Sequence, residues 1–127
     1  MAIRTELNLR LPNSPGALAA VCRTLADERV NIVALSVEPS GHLRLVVDNH
    51  VRAAGALRER HHQVSEREVV VTSVGVGPGA LAPLLELVAG AGVNVEYAYG
   101  TAPESVAGAA IVIGVEHAAR AAAAAGI

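Results

Sequence analysis

Pro15-Gly16-Ala17-Leu18-Ala19 recurs in full as Pro78-Gly79-Ala80-Leu81-Ala82, 63 residues further along the chain. The same offset carries Val30-Asn31-Ile32 onto Val93-Asn94-Val95, and no gap is needed between the two matched motifs. Two motifs that match at one fixed offset indicate an internal repeat, which decides the domain organisation before any single element is assigned. We therefore expect two copies of one small module, the first at residues 1–66 and the second at residues 67–127.

The pattern of the first copy predicts strand, helix, strand, strand and helix in that order. Apolar and polar residues alternate over most of residues 3–11, which is typical of a strand with one buried face. Ser14 is expected to cap the first helix, with Pro15 at the first helical position, where its missing N–H costs nothing. The remaining expected elements are strands at 30–38 and 42–48 and a helix at 51–60, with Ala53, Ala54 and Leu57 directed inward.

The second copy predicts the same order, with a strand at 68–76, a helix beginning at Pro78, strands at 93–99 and 107–115, and an alanine-rich terminal helix. This order is that of the ferredoxin-like split βαβ arrangement. The expected fold class is α+β: two tandem ferredoxin-like βαββα(β) modules whose antiparallel sheets are covered by helices on one side. One segment after residue 62 must close the first copy and open the second, and the second copy is expected to lack its own closing strand.

Composition and charge exclude several classes of protein. The chain is 52% hydrophobic and 17% charged with a net charge of −2, which is typical of a globular domain and too acidic for a nucleic-acid-binding surface. Its apolar stretches are too short to cross a bilayer, and the first residues lack the apolar core of a signal peptide. A single cysteine, Cys22, allows no internal disulfide and favours the cytoplasm. Neither a nucleic acid nor a membrane is expected as a partner.

The loop before the first helix is the best candidate for a binding site. The N–H groups of Gly16, Ala17 and Leu18 would lie in a first helical turn without intrahelical partners, and such a turn suits a carboxylate. Asn13 in the loop and Asn31 near a strand start can each offer an amide to a ligand. A purely structural interpretation stays open, because asparagine and Pro-Gly before a helix often serve only to shape the turn.

The pattern Asn13-x-Pro15-Gly16-x-Leu18, followed after one helix by Val30-Asn31-Ile32, resembles the signature of ACT domains, which are ligand-sensing modules of amino-acid metabolism. The resemblance covers nearly the whole chain, once per copy, and is strongest to stand-alone tandem ACT proteins. It implies a ferredoxin-like fold, paired modules and an amino acid bound at the interface between modules. The ligand-binding residues that it implies are Asn13, Ser14, Gly16, Ala17, Leu18, Asn31, Ile32 and Asn94.

The second copy departs from this pattern, since Val76 and Gly77 stand at the positions of Asn13 and Ser14. We therefore expect binding mainly at the first loop. The function expected is that of a regulatory protein that binds a free amino acid, as a homodimer, with an enzyme of amino-acid metabolism as a further partner. No catalytic residue, cofactor or metal is expected, because the candidate side chains are amides and do not titrate.

Two alternatives remain, a small dimeric ferredoxin-like enzyme of the isomerase type and a structural dimer without ligand. Two further motifs are set aside. His61 and His62 are adjacent, so in extended backbone they point opposite ways, and no other ligands stand at the usual spacing for a metal. The glycines at 75–79 fit a dinucleotide-binding spacing, but the first copy has no such glycines and the chain is too short for the required sheet.

Overall fold

The computed structural model describes residues 2–75, 77–100 and 109–126, and the fold is the α+β, ferredoxin-like arrangement expected. Within this part of the chain six strands and four helices follow one another in the predicted order. The elements are β1 Ala2–Arg10, α1 Ala17–Asp27, β2 Ile32–Val37, β3 His42–Val47, α2 His50–Glu59, β4 Ser65–Val74, α3 Ala82–Gly90, β5 Val95–Gly100, β6 Ala109–Val115 and α4 Ala118–Ala124.

The chain divides into two compact units, of which the first comprises Thr5–Arg67. Its central strand is β3, which pairs antiparallel with β1 and with β2. Directly opposite residues of such strands share a face of the sheet, so Leu7 of β1 and Leu35 of β2 lie on the same face as Leu45 of β3. This face carries the core, which includes Val21 and Leu25 of α1 and the predicted Ala53, Ala54 and Leu57 of α2.

A β-bulge in β2 explains why this strand carries apolar residues at odd and even positions. Ile32 lies opposite Val47 but Ala34 lies opposite Val46, so Val33 is the extra residue. Beyond the bulge, Leu35 and Val37 lie on the face of Ile32. Both remain exposed, at 40% and 43% of their surface. Among the described strands, β2 pairs with β3 alone.

The second unit comprises the residues up to Arg4 together with those from Glu68 onward. In it β6 pairs antiparallel with β4 and with β5, and β5 has a bulge between Val95 and Tyr97, 63 residues after the bulge of β2. The rings of Tyr97 and Tyr99 stack with their centroids 6.3 Å apart. The core combines side chains of β1, β4, β6, α3 and α4, among them Ile3, Val70, Val88, Val93, Ile113, Val115, Ala118, Ala121 and Ala122.

Strands β1 and β4 each contribute residues to both units. Ser65, at the start of β4, belongs to the first unit, and its hydroxyl donates to the carbonyl of Asn8 at 3.5 Å. Ile3, near the start of β1, belongs to the second unit and packs against its core. The described residues contain no strand after α4.

The start of α3 differs from the prediction. The helix begins at Ala82 rather than at Pro78, with Pro83 in its first turn. Gly77 and Gly79 have φ angles of 132° and 77°, which no right-handed helix accommodates. None of the helices in the described ranges combines the length and the apolar character that crossing a membrane would require.

Candidate functional site

The loop between β1 and α1 forms one wall of a surface pocket of about 360 Å³ in the first unit. Five of the eight predicted ligand-binding residues line it: Asn13, Ser14, Gly16, Ala17 and Leu18. The opposite wall comes from the end of β2 and the following turn, Val37–Gly41, and Leu11, Pro12 and Ala19 complete the lining. The structure therefore brings the predicted loop residues together around a single concave surface.

A tight turn sets the shape of this loop. The Ala17 N–H donates to the Ser14 carbonyl at 3.4 Å, and Gly16 between them has φ 84° and ψ −1°. Proline at the second position and a positive φ at the third are the features of a type II β-turn. The helix accordingly begins at Ala17, with Gly16 as its N-cap and no side-chain cap. The expectation that Ser14 caps the helix is wrong, and the Pro-Gly dipeptide was the signal that predicts this turn.

The backbone of the turn and of the first helical turn presents amide donors to the pocket. In the part of the chain that is described, the N–H groups of Gly16, Leu18 and Ala19 meet no acceptor, whereas Ala17 is engaged by Ser14. The free amides are therefore those of Gly16, Leu18 and Ala19. The sequence had predicted Ala17 in place of Ala19. Unpaired N–H groups at the positive end of a helix dipole favour an anion such as a carboxylate.

The turn after β2 holds the facing wall in place. The Leu11 N–H donates to the Gly41 carbonyl at 2.7 Å, and Gly41 adopts φ 91°. At the rim, the Glu38 carboxylate lies 2.7 Å from Arg44 and 3.5 Å from the His42 ring. Glu38 is the one acidic side chain among the described residues that line the pocket, and it is engaged by Arg44 and His42. The sequence predicted only the connection between two strands here and did not indicate that it contributes to the site.

Asn31 and Ile32 lie at the far end of β2 from the pocket. Val37 lines the pocket and stands six positions after Asn31, which corresponds to about 20 Å of extended strand. Asn31 is exposed, its N–H donates to the Asp48 carboxylate at 2.9 Å, and its carbonyl accepts from the Asp48 N–H at 3.1 Å. Within one chain, therefore, Asn13 and Asn31 do not face the same loop.

The loop of the second unit repeats the turn but not the polar side chains. The Ala80 N–H donates to the Gly77 carbonyl at 3.3 Å, and Gly79 has a φ angle close to that of Gly16. Gly77 offers no hydroxyl where the first loop has Ser14, and Val76, at the position of Asn13, lies outside the described residues. Asn94, the counterpart of Asn31, is exposed just before β5.

His61 and His62 follow directly after α2. No group of three or more histidine, cysteine, aspartate or glutamate side chains within the described ranges is placed to hold a metal ion.

Known proteins resemble this chain in fold and in part of its sequence. A model of the ACT domain family matches residues 5–66. Protein BT0572 from Bacteroides thetaiotaomicron has a similar crystal structure, with 31% sequence identity, a TM-score of 0.87, and a match that covers 96% of this chain and 85% of that one. A search of curated proteins by sequence gave no match.

Two further structures share the fold at lower identity. The ligand-free regulatory subunit of aspartate kinase from Thermus thermophilus gives a TM-score of 0.71 at 23% identity, covering 98% of this chain and 92% of that one. The regulatory subunit from Thermus flavus gives 0.66 at 23% identity, covering 99% and 95%. The chain is thus related along almost its whole length to the Bacteroides protein, and its residues 5–66 match the model of the ACT domain family.

Proposed function

We propose that this chain is a regulatory protein without catalytic activity that binds a free amino acid in the pocket formed by Asn13, Ser14, Gly16 and Leu18. The observation that carries the proposal is this pocket of about 360 Å³, in which free backbone amides and polar side chains converge within an ACT domain. We propose further that residues 67–127 form a second ACT-type module, which the repeated turn and the repeated bulge support.

The lining of the pocket suits the three parts of an amino acid. The amides of Gly16, Leu18 and Ala19 offer donors to the carboxylate. The oxygens of the Asn13 and Ser14 side chains can accept from the ammonium group. Leu11, Leu18 and Val37 supply an apolar wall for the side chain of the ligand, which favours a small aliphatic amino acid over a charged one.

A homodimer would bring Asn31 to this pocket. Leu35 and Val37 are exposed on the strand β2, and an exposed apolar edge is commonly covered by a second chain. If two β2 strands pair antiparallel about a two-fold axis, the start of one strand lies beside the end of the other. Asn31 and Ile32 of the partner subunit would then approach Val37 and the loop, so each site would combine residues of two chains.

The regulatory role follows from where the ligand would sit. A ligand held between two subunits binds one assembly more tightly than another, and this difference in affinity shifts the population of assemblies. The protein that responds to this shift would be an enzyme of amino-acid metabolism in the cytoplasm. Catalysis within the pocket is disfavoured because Glu38, its acidic side chain, is held by Arg44 and His42.

Thermal unfolding in the presence of each of the twenty amino acids tests the proposal. At about one hundred times its dissociation constant, a ligand stabilises the folded state by about 2.7 kcal/mol, which raises the unfolding midpoint by several degrees. We expect one or a few aliphatic amino acids to do so, and Asn13→Ala to remove the shift. Ser73→Ala, which removes an exposed polar side chain of β4 that does not line the pocket, is the control and should leave the shift intact. No shift with any amino acid, or an unchanged shift in Asn13→Ala, would refute the assignment.

A further inference from the structure

A second and larger depression lies on the other side of Leu11 and Pro12, and its lining is basic. It measures about 600 Å³ and belongs entirely to the first unit. The remaining lining residues are Arg10, Arg60, His61, His62 and Gln63, so two arginines and two histidines meet without a carboxylate among them. The chain as a whole carries a net charge of −2, so this cluster is a local concentration of positive charge.

The two arginines of the cluster differ from others in the first unit. Arg44, Arg52 and Arg58 each lie within 3.4 Å of a glutamate oxygen. Within the described ranges, neither Arg10 nor Arg60 forms an ion pair. Arg10 donates through one nitrogen to the Ser40 carbonyl at 3.1 Å, which fixes its guanidinium group in place while its other N–H groups remain available. A positioned guanidinium without an acidic partner is suited to bind an external anion.

The backbone at His61 is held in a conformation that histidine rarely adopts. His61 has φ 71° and closes α2, with its N–H donating to the Arg58 carbonyl at 3.0 Å and the His62 N–H donating to the Leu57 carbonyl at 3.1 Å. This closure usually uses glycine, as Gly126 does after α4 in the second unit. A side chain at such a position costs stability, and Arg29 after α1, with φ 57°, carries the same cost.

Size and geometry indicate the class of ligand. A depression of about 600 Å³ is in the range of small-molecule sites and exceeds what a single phosphate ion fills. Guanidinium groups match the oxygens of phosphate in a bidentate manner, and imidazole rings donate N–H in either protonation state. No phenylalanine, tyrosine or tryptophan lines the depression, so a nucleobase finds no aromatic platform for stacking.

We propose that Arg10, Arg60, His61 and His62 form a binding site for a small molecule that carries two or more phosphate groups. Recognition is through the phosphate groups rather than through an attached base. The site is separate from the amino-acid pocket, and its test requires no amino acid, so either proposal can fail without the other.

Isothermal titration calorimetry of the full chain with inorganic phosphate, tripolyphosphate and ATP tests this site. We expect tripolyphosphate and ATP to bind with similar affinity and phosphate to bind at least about tenfold more weakly, because fewer oxygens reach the guanidinium groups. Arg60→Gln should weaken the binding of tripolyphosphate by at least about tenfold, whereas Arg29→Gln, the same charge change away from the depression, should leave it within about twofold. Binding of ATP without tripolyphosphate, binding of neither, or equal effects of the two variants would overturn the proposal.

A second pair of variants separates binding from folding. His61→Gly and Arg29→Gly both relieve a positive φ at the end of a helix, so both proteins should fold at least as stably as the parent. His61→Gly is expected to raise the unfolding midpoint and yet weaken tripolyphosphate binding several-fold, while Arg29→Gly raises the midpoint alone. Unchanged binding in His61→Gly would remove His61 from the site.

Discussion

At the scale of single residues, Gly41 holds the turn that forms one wall of the pocket between the β1–α1 loop and the end of β2. A Cβ atom at this position would lie 2.6 Å from the Leu11 carbonyl oxygen, and the φ angle of 91° is itself unfavourable for any other residue. We predict that Gly41→Ala lowers the free energy of unfolding by about 2–3 kcal/mol, measured by chemical denaturation. Gly55→Ala, within α2 and with no atom near its Cβ, should instead raise it by about 0.5–1 kcal/mol. Equal stability of Gly41→Ala and the parent protein would contradict this account of the wall.

Residue-level prediction from sequence succeeded where the residue type determines the backbone and failed where two interpretations of one motif compete. Five loop residues were predicted to share one site because a helix start offers free N–H groups and the resemblance to ACT domains points to this loop, and these five residues line one pocket. The cap was misassigned because Ser14-Pro15 fits a helix start and Pro15-Gly16 fits a type II turn. The positive φ of Gly16 decides for the turn, and no pattern of apolar residues reports it.

At the scale of elements, the two helices of the first unit begin in different ways, so two similar substitutions should differ in how much they lower stability. The Asn49 side chain accepts from the Arg52 N–H at 3.1 Å and caps α2. Ser14 makes no such contact with α1. We predict that Asn49→Ala costs about 1 kcal/mol of unfolding free energy and that Ser14→Ala costs less than about 0.5 kcal/mol. Urea denaturation of both variants measures the difference, and a larger cost for Ser14→Ala would reinstate the cap expected from the sequence.

The order and type of the elements were predictable because hydrophobic periodicity survives in each of them, as at Ala53, Ala54 and Leu57. The bulge in β2 was not predictable from this periodicity. One extra residue, Val33, shifts the alternation of side chains along the strand. Ile32, Leu35 and Val37 therefore lie on one face, although their spacing suggests that both faces are apolar. A bulge depends on how a strand pairs with its neighbour, and the sequence of the strand alone does not determine this pairing.

At the scale of the whole molecule, the repeated motifs are visible in the sequence, but the contribution of one strand to both units is not. The apolar pattern of β1 and β4 reports which residues are buried and leaves open which unit receives them. Ile3 and Leu7 are four residues apart on one strand, yet they pack in different cores. The assignment depends on contacts between residues far apart in the chain, as between Ile3 and the core that contains Ile113.

The proposed dimer predicts that β2 mediates self-association. Leu35 and Val37 are exposed and lie on the edge that a second chain would cover. We expect sedimentation velocity to give a dimer for the parent protein and a monomer for Leu35→Lys combined with Val37→Lys, because charged side chains on an edge strand oppose pairing. Leu87→Lys, which changes an exposed leucine of α3, is the control and should remain dimeric. A monomeric parent would remove the partner that Asn31 needs.

If each site combines Asn13 of one chain with Asn31 of the other, two inactive variants should restore binding when they are mixed. Asn13→Ala and Asn31→Ala should each lose binding alone. After unfolding and refolding together in equal amounts, half of the dimers contain both variants, and each of these has one intact site, so about a quarter of all sites should bind the amino acid. Calorimetry measures this fraction directly. Asn13→Ala mixed with the double variant Asn13→Ala and Asn31→Ala should restore none, because no chain then supplies Asn13. If Asn31→Ala binds normally by itself, the site is complete within one chain and the two-chain arrangement is wrong.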